Sequence, residues 1–176
     1  MEFLEVVGTR RSVRWFERGE AMSVDERLKE LGIALPVARS PVGNYVPAVL
    51  VGDLLFLSGA GPALPDGGWV VGKVGEGGLD LAAAREAARL VGLQLLAAMR
   101  SELGSLDRVR RVVKVLGMVN CAPGFTTTPA VIDGCSDLLV DVLGDAGRGA
   151  RSAVGMAELP FGIAVEIEAV VQVRTA

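Results

Sequence analysis

Two side chains near the C-terminus are of the types that would activate water against a small carboxylate: Arg151, in Gly149-Ala150-Arg151-Ser152-Ala153-Val154-Gly155, and Glu166, in Val165-Glu166-Ile167-Glu168-Ala169. A guanidinium offers a planar fork of donors that meets a carboxylate with two parallel hydrogen bonds. A carboxylate on a half-buried strand can hold or deprotonate a water, its pKa raised by burial. Each has a plainer reading: Arg151 as a solvated strand-end arginine or an intersubunit ion pair, the glutamates as the polar outer face of a sheet. Alternation along the last strand puts Glu166 and Glu168 on one face. If Leu159-Pro160-Phe161-Gly162 turns a hairpin centred on Pro160 and Phe161, Gly155 lies opposite Glu166. Arg151 then shares that face, roughly 13 Å away by strand rise. A slip of one residue would put the pair on opposite faces.

Other residues could line a site. Tyr45, the one tyrosine, sits in Val42-Gly43-Asn44-Tyr45-Val46-Pro47-Ala48 and could wall a pocket or fill a core or an interface. Ser58-Gly59, at the end of an apolar run, lets a ligand approach the backbone, or simply turns the chain. Residues 72–78 (GKVGEGG) lack the G-x-x-x-x-G-K-S/T pattern of a phosphate loop and read as a flexible loop. Cys121 and Cys135 read as small buried hydrophobes with reduced thiols.

Composition removes whole classes. There is no histidine, which excludes Ser-His-Asp and Cys-His catalysis and the histidine-bearing zinc sites. Two cysteines cannot furnish a four-ligand zinc centre. A net charge of -3 and a pI near 5.1 argue against general nucleic-acid binding. The N-terminus lacks a secretory signal pattern, and no apolar run is long enough to span a bilayer, so a cytoplasmic protein without membrane contact is expected. A mean hydropathy of +0.44 leaves apolar surface for a subunit interface.

The elements that must position these groups follow from local signals. Residues 1–21 crowd four arginines and four glutamates and form an N-terminal extension; the domain proper runs over 22–176. Ser23 and Glu26 form a capping box for a first helix, with Leu28 and Leu31 as its apolar edge and Gly32 closing it. After a connector bracketed by Pro36 and Pro41, strands at 48–51 and 54–58 flank a Gly52-Asp53 hairpin turn. A short strand over 69–73 is expected. Asp80 caps a helix reaching Leu103, with Leu81, Ala84, Ala88, Val91, Leu95 and Ala98 as its buried stripe. A strand over 110–120 follows. Thr128 caps a second long helix with Pro129 as its first residue, ending near Leu143, and strands at 151–157 and 164–174 complete the chain. This order gives an α/β fold: a mixed sheet with two long helices packed on one face, its other face left for a second copy.

Taken together, N-Y-V-P-A-V (44–49), L-F-x-S-G (55–59), R-S-A-V-G-x-A-E-L-P (151–160) and V-E-x-E-A (165–169) resemble a longer subgroup of the Rid family, the reactive intermediate deaminases of YjgF type. The resemblance covers residues 34 to 174. It implies a chorismate-mutase-like fold, a homotrimer with clefts between subunits, and no metal or cofactor. It places the substrate-carboxylate clamp on Arg151 and the water-handling glutamate on Glu166. The cleft tyrosine falls on Tyr45, and the backbone contacts on Ser58 and Gly59. Two positions depart from the family pattern: Ala153 stands where a cysteine is frequent, and Ser136 where an asparagine is usual. Separately, Thr9-Arg10-Arg11-Ser12-Val13-Arg14-Trp15-Phe16 is similar to the opening of flavin-dependent nitroreductases, though nothing else of that family follows.

The function expected on this basis is hydrolysis of 2-imino or 2-enamino acids to 2-oxo acids and ammonia. Arg151 would clamp the carboxylate and Glu166 would position the water. The alternatives are a non-catalytic module that binds small carboxylates, a specialised biosynthetic enzyme of the same fold and, disfavoured by the acidic pI and missing histidine, an endoribonuclease.

Overall fold

The computed structural model describes residues 22–174. The 1–21 extension, with its nitroreductase-like stretch, lies outside the described residues. Helix α1 (Val24–Glu30) opens on the expected capping box: the Ser23 side chain accepts from the Glu26 backbone and the Glu26 side chain accepts from that of Ser23. The 48–51 and 54–58 runs form β1 (Ala48–Val51) and β2 (Leu54–Ala60), with Val51 opposite Leu54 across a turn in which Gly52 has a φ of 62°.

Helix α2 (Leu81–Leu103) is capped by the Asp80 side chain at the Ala83 N–H and closed by Gly104. Its buried surface is wider than the expected stripe. Ala87, Gly92, Leu96 and Met99 are buried as well, because α2 packs against both the sheet and helix α3 (Thr128–Leu143); Leu81, by contrast, is exposed. The two helices meet through glycines. A Cβ on Gly92 would stand 2.9 Å from Leu138, and one on Gly134 would stand 2.0 Å from the carbonyl oxygen of Arg85. The cap of α3 differs from expectation. Thr127 is the cap residue, while the buried Thr128 hydroxyl donates to the Ala153 carbonyl at 3.0 Å and ties the helix to β4 (Ala150–Met156).

The sheet order is β1-β2-β5-β3-β4, with β3 at Val109–Asn120 and β5 at Val165–Val173. Only the β3–β4 pair is parallel. This corrects the expected hairpin: β4 and β5 do not pair, because β3 lies between them. The reason is the connection. A helix, α3, carries the chain from β3 to β4, and such a crossover returns the strand parallel to its predecessor. The 69–73 segment is not a strand of the sheet but makes isolated bridges, Trp69 with Ala63 and Val71 with Ile163. The 72–78 loop is anchored rather than flexible, since Val74 is fully buried and bridges both Leu79 and Cys121.

The core lies between the sheet and α2/α3. Leu55, Val112, Val119, Ile167 and Val171 project from the strands against Val91, Leu95, Leu96, Met99, Ile132 and Leu139 of the helices. The alternate strand residues form the open face. There Val49, Phe56 and Val154 are exposed, and Lys114 donates to the Ser152 hydroxyl at 2.8 Å.

Candidate active site

Strand β2 carries a bulge where β1 no longer flanks it. Leu57 pairs with Ala169 and Ala60 with Ile167, so Ser58 and Gly59 together oppose Glu168. The bulge makes room for Glu166. A Cβ on Gly59 would stand 2.2 Å from the Glu166 Oε1. Glycine at 59 is therefore what allows the carboxylate to lie across the bulge. The Ser58 hydroxyl donates to the Val46 carbonyl at 2.7 Å and its N–H to the Pro47 carbonyl at 2.9 Å. These two bonds hold the connector, and Tyr45 with it, against the bulged strand.

A cavity of about 460 Å³ opens here. Tyr45, Ser58, Gly59 and Glu166 line it together, with Leu95 and Ala98 of α2 as apolar wall. Glu166 is half-buried and makes no side-chain hydrogen bond or ion pair among the described residues. Burial pushes its carboxyl above the ordinary glutamate value, and the neighbouring Glu168 charge pushes in the same direction. A carboxylate so placed, free of partners in a mostly apolar hollow, is suited to accept a proton from water.

Arg151 is elsewhere. Residues in register across a sheet project to the same side. Arg151 is in register with Val115 and Ala169, both buried beneath the helices. Glu166 is in register with Met118 and Val154, on the open face. Within one protomer the two groups therefore stand on opposite faces of the sheet, and the expected shared face is corrected. The Arg151 Nη1 donates to Asp133 Oδ1 at 2.7 Å and to the Ser136 hydroxyl at 3.0 Å, both on α3. Asp133 lies 3.9 Å from Arg85, which also pairs with Asp137. A separate groove, including Val115, Ser136, Arg148 and Arg151, lies beside this network. Asp133 and Ser136 thus both engage Nη1, and the Arg151 Nε and Nη2 make no hydrogen bond among the described residues.

The thiols are not poised for chemistry. Burial raises Cys135 to about 12 and also raises Cys121, and neither is in a disulfide. No group of three metal-ligating side chains occurs among the described residues.

Sequence reasoning missed three residues at the cavity: Arg39, Trp69 and Phe161. Arg39 stacks on Trp69, 4.5 Å from the ring centroid. Phe161 projects at the cavity mouth, 74% exposed, with a φ of 58°. That backbone region is costly for a bulky residue and tends to be retained at functional sites. The only sequence signal for it was the Pro160–Gly162 frame; nothing local marked Arg39 and Trp69 as partners.

The fold and this site define a class. Residues 25–165 match the family model described as "YjgF/chorismate_mutase-like, putative endoribonuclease". The chain is 45% identical over 152 residues to Protein TCP17 of Trypanosoma cruzi, covering 86% of this chain and 94% of the relative. It is similar to the crystal structure of Atu1372 from Agrobacterium tumefaciens, with 43% identity, a TM-score of 0.78 and coverage of 86% and 94% of the two chains. The Escherichia coli protein TdcF, whose crystal structure contains bound serine, is 26% identical with a TM-score of 0.55 over 78% of this chain and 94% of its own. The chain belongs to the YjgF/chorismate-mutase-like family, as the motif resemblance implied.

Proposed function

We propose that the protein hydrolyses small 2-imino or 2-enamino acids to 2-oxo acids and ammonia, at crevices that two copies complete in a homotrimer. One observation carries this reading: a half-buried Glu166 carboxylate, without a partner among the described residues, held against Gly59 of the β2 bulge in a cavity of small-molecule size. Because Arg151 lies on the other face of its own sheet, the arginine that meets a ligand beside Glu166 comes from a neighbouring copy. The exposed apolar residues of the open face, Val49, Phe56 and Val154, supply surface for that assembly. The serine bound by TdcF supports a ligand with the carboxylate and nitrogen of a small amino acid.

The chemistry is simple. The two free donors of Arg151 hold the substrate carboxylate. Glu166 takes a proton from water as the water oxygen bonds to the C=N carbon, and delivers it to the nitrogen, giving a carbinolamine and restoring the carboxylate. Transfer of the hydroxyl proton to the amino nitrogen, by way of the same carboxylate, then breaks the C–N bond, and ammonia leaves as the carbonyl forms. Such imines already hydrolyse in water, so orientation and one general base suffice.

A second reading, a carboxylate-binding module without turnover, is favoured by the Asp133–Arg151 pair, which partly neutralises the clamp before any ligand arrives. The test is ammonia release from an imino acid generated enzymatically in the assay. The parent should accelerate it, and Arg151→Ala and Glu166→Gln should each lose the acceleration. Ligand-induced thermal stabilisation without product would establish the module instead. Cleavage of single-stranded RNA by a metal-free preparation would point to the activity in the family description.

A further inference from the structure

Among the described residues Arg39 is the one cation that lines the Glu166 cavity. No carboxylate neutralises it among the described residues, in contrast to Arg151. Its guanidinium lies over the Trp69 ring, and its Nη2 donates to the Gly67 carbonyl at 3.1 Å. Nη2 is the one Arg39 nitrogen with a hydrogen bond among the described residues, which leaves Nε and Nη1 as donors for a carboxylate. The turn beneath Trp69 is itself braced. Leu64 and Gly68 are joined through their backbones at 2.9 Å, the Asp66 side chain accepts from the Gly68 N–H at 3.0 Å, and Trp69 bridges to Ala63. The platform that aims Arg39 is therefore anchored independently of any ligand. The cavity also exceeds what a three- or four-carbon imino acid fills, so a substrate held beside Glu166 leaves room towards Arg39.

We infer that Arg39, stacked on Trp69, binds a second anionic group at the end of the substrate distal to the reacting carbon, so that the preferred substrates are dicarboxylic rather than monocarboxylic imino acids. This rests on the deaminase reading above and names its substrate class. A guanidinium at the mouth also offsets the repulsion that the Glu166 and Glu168 carboxylates exert on a dianion.

The test compares ammonia release from a 2-imino dicarboxylic acid and from a 2-imino monocarboxylic acid of equal chain length, each generated in the assay. The ratio of the two kcat/KM values is measured for the parent, Arg39→Ala and Arg39→Lys. The parent should favour the diacid at least tenfold. Arg39→Ala should erase that preference, chiefly through KM for the diacid, and Arg39→Lys should restore part of it. A parent ratio near one, or a preference that survives in Arg39→Ala, overturns the inference. Calorimetry with the stable 2-oxo diacid and 2-oxo monoacid separates the two readings. If neither imino acid is turned over, the deaminase reading fails. Arg39-dependent selective binding of the diacid then still supports the role of Arg39, and equal binding of both acids removes it.

Discussion

At the residue scale the proposed chemistry rests on a carboxylate, Glu166, with no hydrogen-bond or ion-pair partner among the described residues. Glu166 is raised by burial first and by the Glu168 charge second, so its working form appears at higher pH than for an exposed glutamate. Hydrolysis should fall as the solution is acidified through that raised pKa. Glu168→Gln should shift the inflection of the kcat/KM profile downward but not abolish it, since burial is the larger cause. An unmoved inflection would separate Glu168 from the site. Glu166→Gln should reduce kcat by about 10²-fold or more, the usual contribution of a general base. The same shift has a stability consequence. Between the ordinary glutamate pKa and the raised one, the folded chain binds more protons than the unfolded chain, so stability falls as pH rises through that window. Glu166→Gln should therefore melt higher than the parent at neutral pH, with the gap closing in acid below the ordinary carboxylate range. A gap independent of pH would show that the ionised form costs the fold nothing.

At the element scale the bulge in β2 and the crossing of α2 with α3 make opposite demands on glycine. A methyl at position 59 meets only the tip of a flexible side chain, whereas one at 134 meets backbone. Gly59→Ala should leave the denaturation midpoint nearly unchanged while displacing the Glu166 carboxylate, and should cost at least tenfold in activity. Gly134→Ala should lose about 1–3 kcal/mol of stability in urea titration, the usual cost of overpacking. The same contrast explains what could be read from sequence. The capping box at Ser23 and Glu26 and the Gly52-Asp53 turn are set by neighbours a few residues apart and stand as expected, whereas the α2 stripe was legible only in part, since packing against α3 buries a wider surface and leaves Leu81 exposed. The placement of Tyr45, Ser58, Gly59 and Glu166 together followed from motifs. The partner of β4 did not, because it depends on where α3 delivers the chain, and a β4–β5 hairpin satisfied the local pattern equally well. The pairing of Arg151 with Asp133 depends on that same docking. Arg39 and Trp69 belong to different irregular segments with no shared period, and only their tertiary contact reveals them.

At the scale of the whole molecule, two helices cover one side of the sheet, and among the described residues no element covers the other. The open face mixes exposed Val49, Phe56 and Val154 with Glu166, Glu168, Lys114 and Ser152, a composition suited to an interface with polar clefts rather than to an uninterrupted core. Phe56→Lys should shift the sedimentation of the protein towards the monomer and abolish hydrolysis with it, since the monomer separates Arg151 from Glu166. Among the described residues no helix is long and apolar enough to cross a membrane. The most direct test of a shared site mixes two dead proteins. Arg151→Ala and Glu166→Gln chains, each inactive alone, are unfolded together and refolded as mixed assemblies, then assayed for ammonia release from an imino acid. Recovery of a substantial fraction of parental activity is expected, because an intact arginine from one copy then meets an intact glutamate from another. A mixture as inactive as its components, in assemblies shown to contain both chains, would contradict the account.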